Sequence, residues 1–190
     1  QGIIPFEVND ERIVVDSLKS KVDVFQDEFT PKMLRDLQRY KSHIVFESLG
    51  KIYHARINEQ TQRVHSIQTL IDLPDRFAFQ PRFTSDGTQV IYISWHDQEL
   101  SHIHLYDLAK QSTQTLTSQA GHYRTPQLSP NSEWLSYQRV AAGWITSPRL
   151  SHKRGLYVLH IPNAEERRID VHAQQAHWLT HSDRIYFTRN

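Results

Sequence analysis

The chain has 190 residues, 38% apolar and 23% charged, with 22 Lys+Arg against 21 Asp+Glu. That length sets one domain or slightly more as the expectation, and a net charge of +1 excludes both a strongly basic nucleic-acid or membrane-surface protein and an acidic tail. Cysteine is absent, so there is no disulfide framework and no thiolate metal site, and no apolar run is long enough for a transmembrane helix.

In chain order, residues 1–30 come first and have no copy elsewhere. Arg12 to Val15 and Val22 to Phe25 have strand composition, and the segment reads as an N-terminal arm that pairs with or covers a sheet edge. Residues 2–8, GIIPFEV, lack the basic and apolar regions of a signal peptide, which fits a mature or trimmed chain. From residue 31 onward the sequence repeats. LQRYKSHIVF (37–46), FTSDGTQVIY (83–92), LSPNSEWLSY (128–137) and WLTHSDRIYF (178–187) each combine an apolar anchor, a polar turn and an apolar strand. The anchors are Leu37, Phe83, Leu128 and Trp178, and the strands end on Phe46, Tyr92, Tyr137 and Phe187. Asp86-Gly87 in the second turn is a strong hairpin signal.

A second strand follows at KIYHARI (51–57), HIHLYDL (102–108) and GLYVLHI (155–161), then a third at RVHSI (63–67), QTLT (114–117) and RRIDV (167–171). Periodicity near two and β-branched and aromatic residues mark all of them as strands. Three or four short strands per ~45 residues, without a helical crossover, is the pattern of a β-propeller blade. The expected fold is all-β: an incomplete propeller over 31–190, with blades near 34–78, 79–120 and 121–171 and a partial one at 172–190.

Residues 79–108, FQPRFTSDGTQVIYISWHDQELSHIHLYDL, resemble the TolB-type (WD40-like) propeller repeat, whose hallmark is a Ser-Pro-Asp-Gly turn before an apolar strand. EFTPKMLRDL (28–37), HIVFESLGKIYHARI (43–57) and AGHYRTPQLSP (120–130) resemble the propeller that precedes a metal-dependent amidohydrolase domain in exported bacterial proteins. That resemblance implies a periplasmic or otherwise exported protein. Only one turn keeps Asp-Gly; the third has Asn131-Ser132. A (β/α)₈ catalytic barrel needs ~250 residues, more than the whole chain. From Leu37 onward there are about 3.4 blades at ~45 residues each, whereas propellers close with four to eight. The expectation is therefore an arc, with two copies associating as a homodimer to complete a ring.

His102-x-His104 has a common metal-ligand spacing, since residues i and i+2 of a strand share a face. It lies on the second strand of a repeat and the sequence indicates no third ligand, so the reading is blade histidines with neither metal nor cofactor. The six glycines permit no G-x-S-x-G, G-x-G-x-x-G or P-loop, and no H-E-x-x-H occurs. No catalytic constellation is present, and the expected protein is not an enzyme. Residues 141–155, AAGWITSPRLSHKRG, lengthen the third repeat, and long propeller loops are where ligands bind. Trp144, Arg149, His152, Lys153 and Arg154 there combine an aromatic with cations, as expected of a peptide or anionic-sugar site. The basic residues are too dispersed for nucleic acid. Two functions remain: a non-catalytic module binding a protein, peptide or glycan in the cell envelope, or the accessory domain of an exported amidohydrolase.

Overall fold

A computed structural model describes residues 30–140, 153–181 and 184–189. Gln1–Thr30 and Pro31–Asn190 form separate compact units. The expected arm lies outside the described residues, and the second unit is the one considered below.

Among the described residues its elements are all strands: β1 (Arg35–Tyr40), β2 (His43–Ser48), β3 (Lys51–Ile57), β4 (Val64–Ile71), β5 (Phe77–Phe83), β6 (Gln89–His96), β7 (Leu100–Asp107), β8 (Ser112–Thr115), β9 (Tyr123–Leu128), β10 (Trp134–Arg139), β11 (Gly155–His160), β12 (Glu165–Asp170), β13 (Ala173–Trp178) and β14 (Ile185–Arg189). They form three four-stranded antiparallel sheets, β1 to β4, β5 to β8 and β9 to β12, and the hairpin β13–β14. Each sheet is a meander in sequence order, with successive strands antiparallel. This is the expected all-β, partial-propeller fold. Among the described residues no helix is long and apolar enough to cross a membrane.

The core lies between successive sheets. Val45 and Ile52 of the first blade meet Ala78, Val90 and Tyr92 of the second. Ile91, Ile93, Ile103 and Leu105 then meet Leu135, Tyr137, Tyr157 and Leu159 of the third. Leu156, Ala173 and Ala176 form the smaller contact between the third blade and the hairpin. The second strand of a blade is covered on both faces, and β6 is buried from Val90 through Ser94. A continuous apolar run therefore replaces the alternation expected of every strand.

Each first strand carries a bulge opposite the aromatic that the repeat placed on the second. Asp36-Leu37 face Phe46, Gln80-Pro81 face Tyr92, Thr125-Pro126 face Tyr137, and Gln175-Ala176 face Phe187. The leading residue is left-handed every time, with φ of 50°, 51°, 50° and 47°. Pro81 and Pro126 are fully buried there, at one of the few sheet positions where a missing N–H breaks no ladder bond. The bulges also correct the expected role of Leu37. The first turn, Lys41-Ser42, is short, so Leu37 falls in the bulge and is 54% exposed instead of anchoring the strand.

Candidate functional site

The β6–β7 connection, the β10 and β11 ends at Val140 and Arg154, and the links between blades share one end of the sheets, and two successive inter-blade grooves open there. The groove between blades two and three, about 380 Å³, is lined by Phe79, Gln80, Ile93, Trp95, Ser101, His122, Tyr123 and Arg124, with Arg35, Asp36 and Glu47 contributed by the first blade. The groove between blade three and the last hairpin, about 410 Å³, includes Arg124, Gln138, Arg139, Val140, Arg154, His172, Ala173 and Gln174. Strand pairing makes the two grooves register-equivalent: Phe79 faces Ile93 as Arg124 faces Gln138, and Trp95 pairs with Ser101 at the β6–β7 end.

One blade along, the chemistry changes. Phe79 gives way to Arg124, Ile93 to Gln138, Trp95 to Val140, Ser101 to Arg154 and Tyr123 to Ala173. A groove with aromatic walls and charges of both signs (Arg35, Asp36, Glu47, Arg124) becomes one whose charged lining residues are all cationic, although the chain as a whole is charge-balanced. No Asp or Glu lines the second groove. Nearby Asp170 accepts from the His172 amide at 2.6 Å and pairs with Arg189 at 3.4 Å. Arg124 lines both grooves.

Arg139 is held in place by its surroundings. Its guanidinium donates to the Tyr123 hydroxyl at 3.1 Å and to Gln119 at 3.4 Å, and lies 5.3 and 5.4 Å from the Tyr123 and Tyr157 ring centroids. Glu166, 3.9 Å away, also accepts from the buried Tyr137 hydroxyl. Burial and then Glu166 push the Tyr137 phenol far up, so it stays a donor. At the aromatic groove, the Trp95 indole N–H donates to Asp97 at 2.9 Å and its ring lies 5.2 Å from His122. Burial and the neighbouring Arg124 lower the His122 pKa, which keeps that imidazole neutral at pH 7.

Of the residues expected to bind, Trp144, Arg149 and His152 lie outside the described residues. Lys153 donates to Gln119 at 3.0 Å and Arg154 lines the cationic groove. Arg124, Gln138 and Arg139 were missed. The signal was in the repeat itself, because at an offset of 45 they replace Phe79, Ile93 and Ser94.

His102 and His104 hydrogen-bond within their own blade. His104 Nε2 is 2.8 Å from the Ser94 hydroxyl and Nδ1 is 3.1 Å from that of Thr115, while His102 Nδ1 is 3.2 Å from both oxygens of Thr117. Burial, with lesser contributions from His102 and Arg76, lowers the His104 pKa to about 4. Among the described residues no group of three His, Asp or Glu side chains is placed to hold a metal ion.

No family model and no curated protein matches the sequence. Among solved structures, TolB from Acinetobacter baumannii aligns with a TM-score of 0.57 at 12% identity, over 78% of this chain and 35% of that one. A putative TolB from Agrobacterium tumefaciens aligns at 0.52 and 12%, over 83% and 70%. The β-propeller domain of the Trilobed protease from Pyrococcus furiosus, described as having an open velcro topology, aligns at 0.50 and 16%, over 80% and 46%. The chain spans about a third of the Acinetobacter TolB that it matches. At these identities the likeness establishes the fold, a TolB-like β-propeller.

Proposed function

We propose that this TolB-like propeller is a non-catalytic interaction module of the cell envelope, presenting its groove-bearing end to a protein, peptide or glycan. The observation that carries the reading is the convergence on Arg124 of two register-equivalent grooves, one aromatic-walled with charges of both signs and one with cations alone. Repetition alone would give like grooves, so the departure at successive blades marks the surface where this propeller has a task beyond its own packing. Placement in the envelope rests on the resemblance to exported propellers.

The test is a photo-crosslinking side chain at Gln174, in the cationic groove, or at Ala109, on a turn at the opposite end, in cells that export the chain. Discrete adducts from Gln174 and none from Ala109 are expected. Equal adducts from both, or none from either, overturn the reading.

A second reading is an accessory propeller of a hydrolase, with an exported metal-dependent amidohydrolase as its narrowest form. The residues 28–37, 43–57 and 120–130 support it, as does the likeness to a propeller that is itself a protease domain. An open reading frame that continues past Asn190 into a catalytic domain supports it; a stop codon there removes it.

A further inference from the structure

The geometry points to an acidic oligosaccharide as the ligand class of the two grooves, an inference that rests on the interaction-module reading. Arg124 and Arg154 supply charge-assisted donors with no carboxylate among the lining residues of the second groove, which suits the carboxylates of a uronic-acid chain. Sugar hydroxyls need acceptors as well as donors, and the side-chain amides provide both. The Gln138 amide nitrogen donates to the Ala173 carbonyl at 3.2 Å, leaving its oxygen as an acceptor. The Gln80 oxygen accepts from the Thr125 amide at 2.8 Å, leaving its nitrogen as a donor. Each amide is thus pinned at one end and oriented before a ligand arrives, which lowers the ordering cost of binding. Trp95 and Phe79 in the adjoining groove supply the aromatic surface on which a sugar ring's C–H face packs.

An extended peptide is the competing ligand, and the strand edges argue against it. Strand addition needs free main-chain groups along an edge. Here the Thr125 amide is taken by Gln80, and the carbonyls of Gln127, Ala173 and Gln174 are taken by Trp178, Gln138 and Thr188. Side chains thus occupy main-chain groups on the strands that bound the grooves, which favours recognition by side chains over strand addition.

The experiment is calorimetric titration of the full chain with a 4-linked hexuronic-acid tetrasaccharide, the matching neutral hexose tetrasaccharide and a tetra-aspartate peptide. The uronate is expected to bind, with the neutral sugar and the peptide each about tenfold weaker or more. Arg124→Gln and Arg154→Gln should each weaken uronate binding by about tenfold, while Lys110→Gln, at the opposite end, should leave it unchanged. Absence of uronate binding, or tetra-aspartate binding as tightly, overturns the inference. Crosslinks from Gln174 in cells would leave the interaction-module reading standing even then.

Discussion

Tyr137 and Tyr157 sit directly opposite each other across β10 and β11, with ring centroids 5.8 Å apart and planes 6° from parallel. The same cross-strand position holds Phe46 against Tyr53 in the first blade, at 5.5 Å and 15°, and Tyr92 against His104 in the second, at 5.0 Å and 25°. Each ring of the second strand therefore lies between a bulge on one neighbour and a ring on the other. The repeated aromatic is the residue that holds a blade's bulge and its central strands together.

Truncation of this pair should be expensive. Tyr137→Leu and Tyr157→Leu are each expected to cost about 2–4 kcal/mol in urea unfolding. The double variant should cost less than the sum by about 1 kcal/mol, the worth of the ring pair. Tyr137→Phe keeps the ring and removes only the donor to Glu166, at about 1–2 kcal/mol. Strict additivity of the two Leu variants would show that the rings are merely adjacent.

His104 makes stability depend on pH in a definite direction. Its folded pKa of about 4 lies below the ordinary 6.5, so between those values the unfolded chain binds more protons. The stability that this group contributes is present above pH 6.5 and is lost as pH falls toward 4. His54, lowered by burial and then by His43 and Arg56, acts in the same direction. Tyrosine occupies the equivalent site in the other two blades, so His104→Tyr should fold. Between pH 7.5 and pH 5 it should lose about 1 kcal/mol less stability than the parent, after allowance for solvent screening. An unchanged pH profile would remove His104 as the source.

The sequence was most legible where one residue type performs one local task. The apolar runs before Phe46, Tyr92, Tyr137 and Phe187 announced the second strands, and β3, β7 and β11 fall on the predicted segments. The bulges were invisible because no single residue type marks them at Asp36, Gln80, Thr125 and Gln175; what all four share is a left-handed backbone angle opposite a ring. His102-x-His104 resembled a ligand pair because sequence shows the spacing and not the partner. Arg124 was overlooked for a related reason: a lone arginine in a strand gains meaning only when Phe79 is seen to be its equivalent one blade earlier.

The Asp86-Gly87 turn and its altered copy Asn131-Ser132 fold alike. Thr84 Oγ1 donates to Asp86 at 2.6 Å and accepts from the Gln89 amide at 3.1 Å; Ser129 Oγ donates to Asn131 at 2.6 Å and accepts from the Trp134 amide at 3.0 Å. The left-handed residue is Gly87 at φ 72° in one and Ser132 at φ 60° in the other. Ser132→Gly should therefore stabilise the chain by about 0.5 kcal/mol, the relief of left-handed strain exceeding the added chain entropy. Gly87→Ala should destabilise it by about 2 kcal/mol or more, because a Cβ there would meet the Tyr40 ring at 2.1 Å on a left-handed backbone. Thermal unfolding of the two variants checks both signs, and a destabilised Ser132→Gly would show that the serine side chain matters more than its backbone angle.

Blade-to-blade order rests in part on one amide. The Gln80 side chain leaves one bulge and accepts, at 2.8 Å, from the Thr125 amide of the next, 45 residues further on. Gln80→Leu should cost about 1–3 kcal/mol, because the Thr125 N–H loses its acceptor in a half-buried setting. Gln80→Glu keeps the acceptor and should restore most of the loss. Gln80→Gly loses the same bond but relieves a left-handed φ of 51°, so its cost should fall below that of leucine by about 1 kcal/mol. Hydrogen exchange reads the bond directly: the Thr125 amide should be protected in the parent and in Gln80→Glu, and exchange faster in Gln80→Leu. Equal protection in all three would mean that another acceptor holds the second bulge.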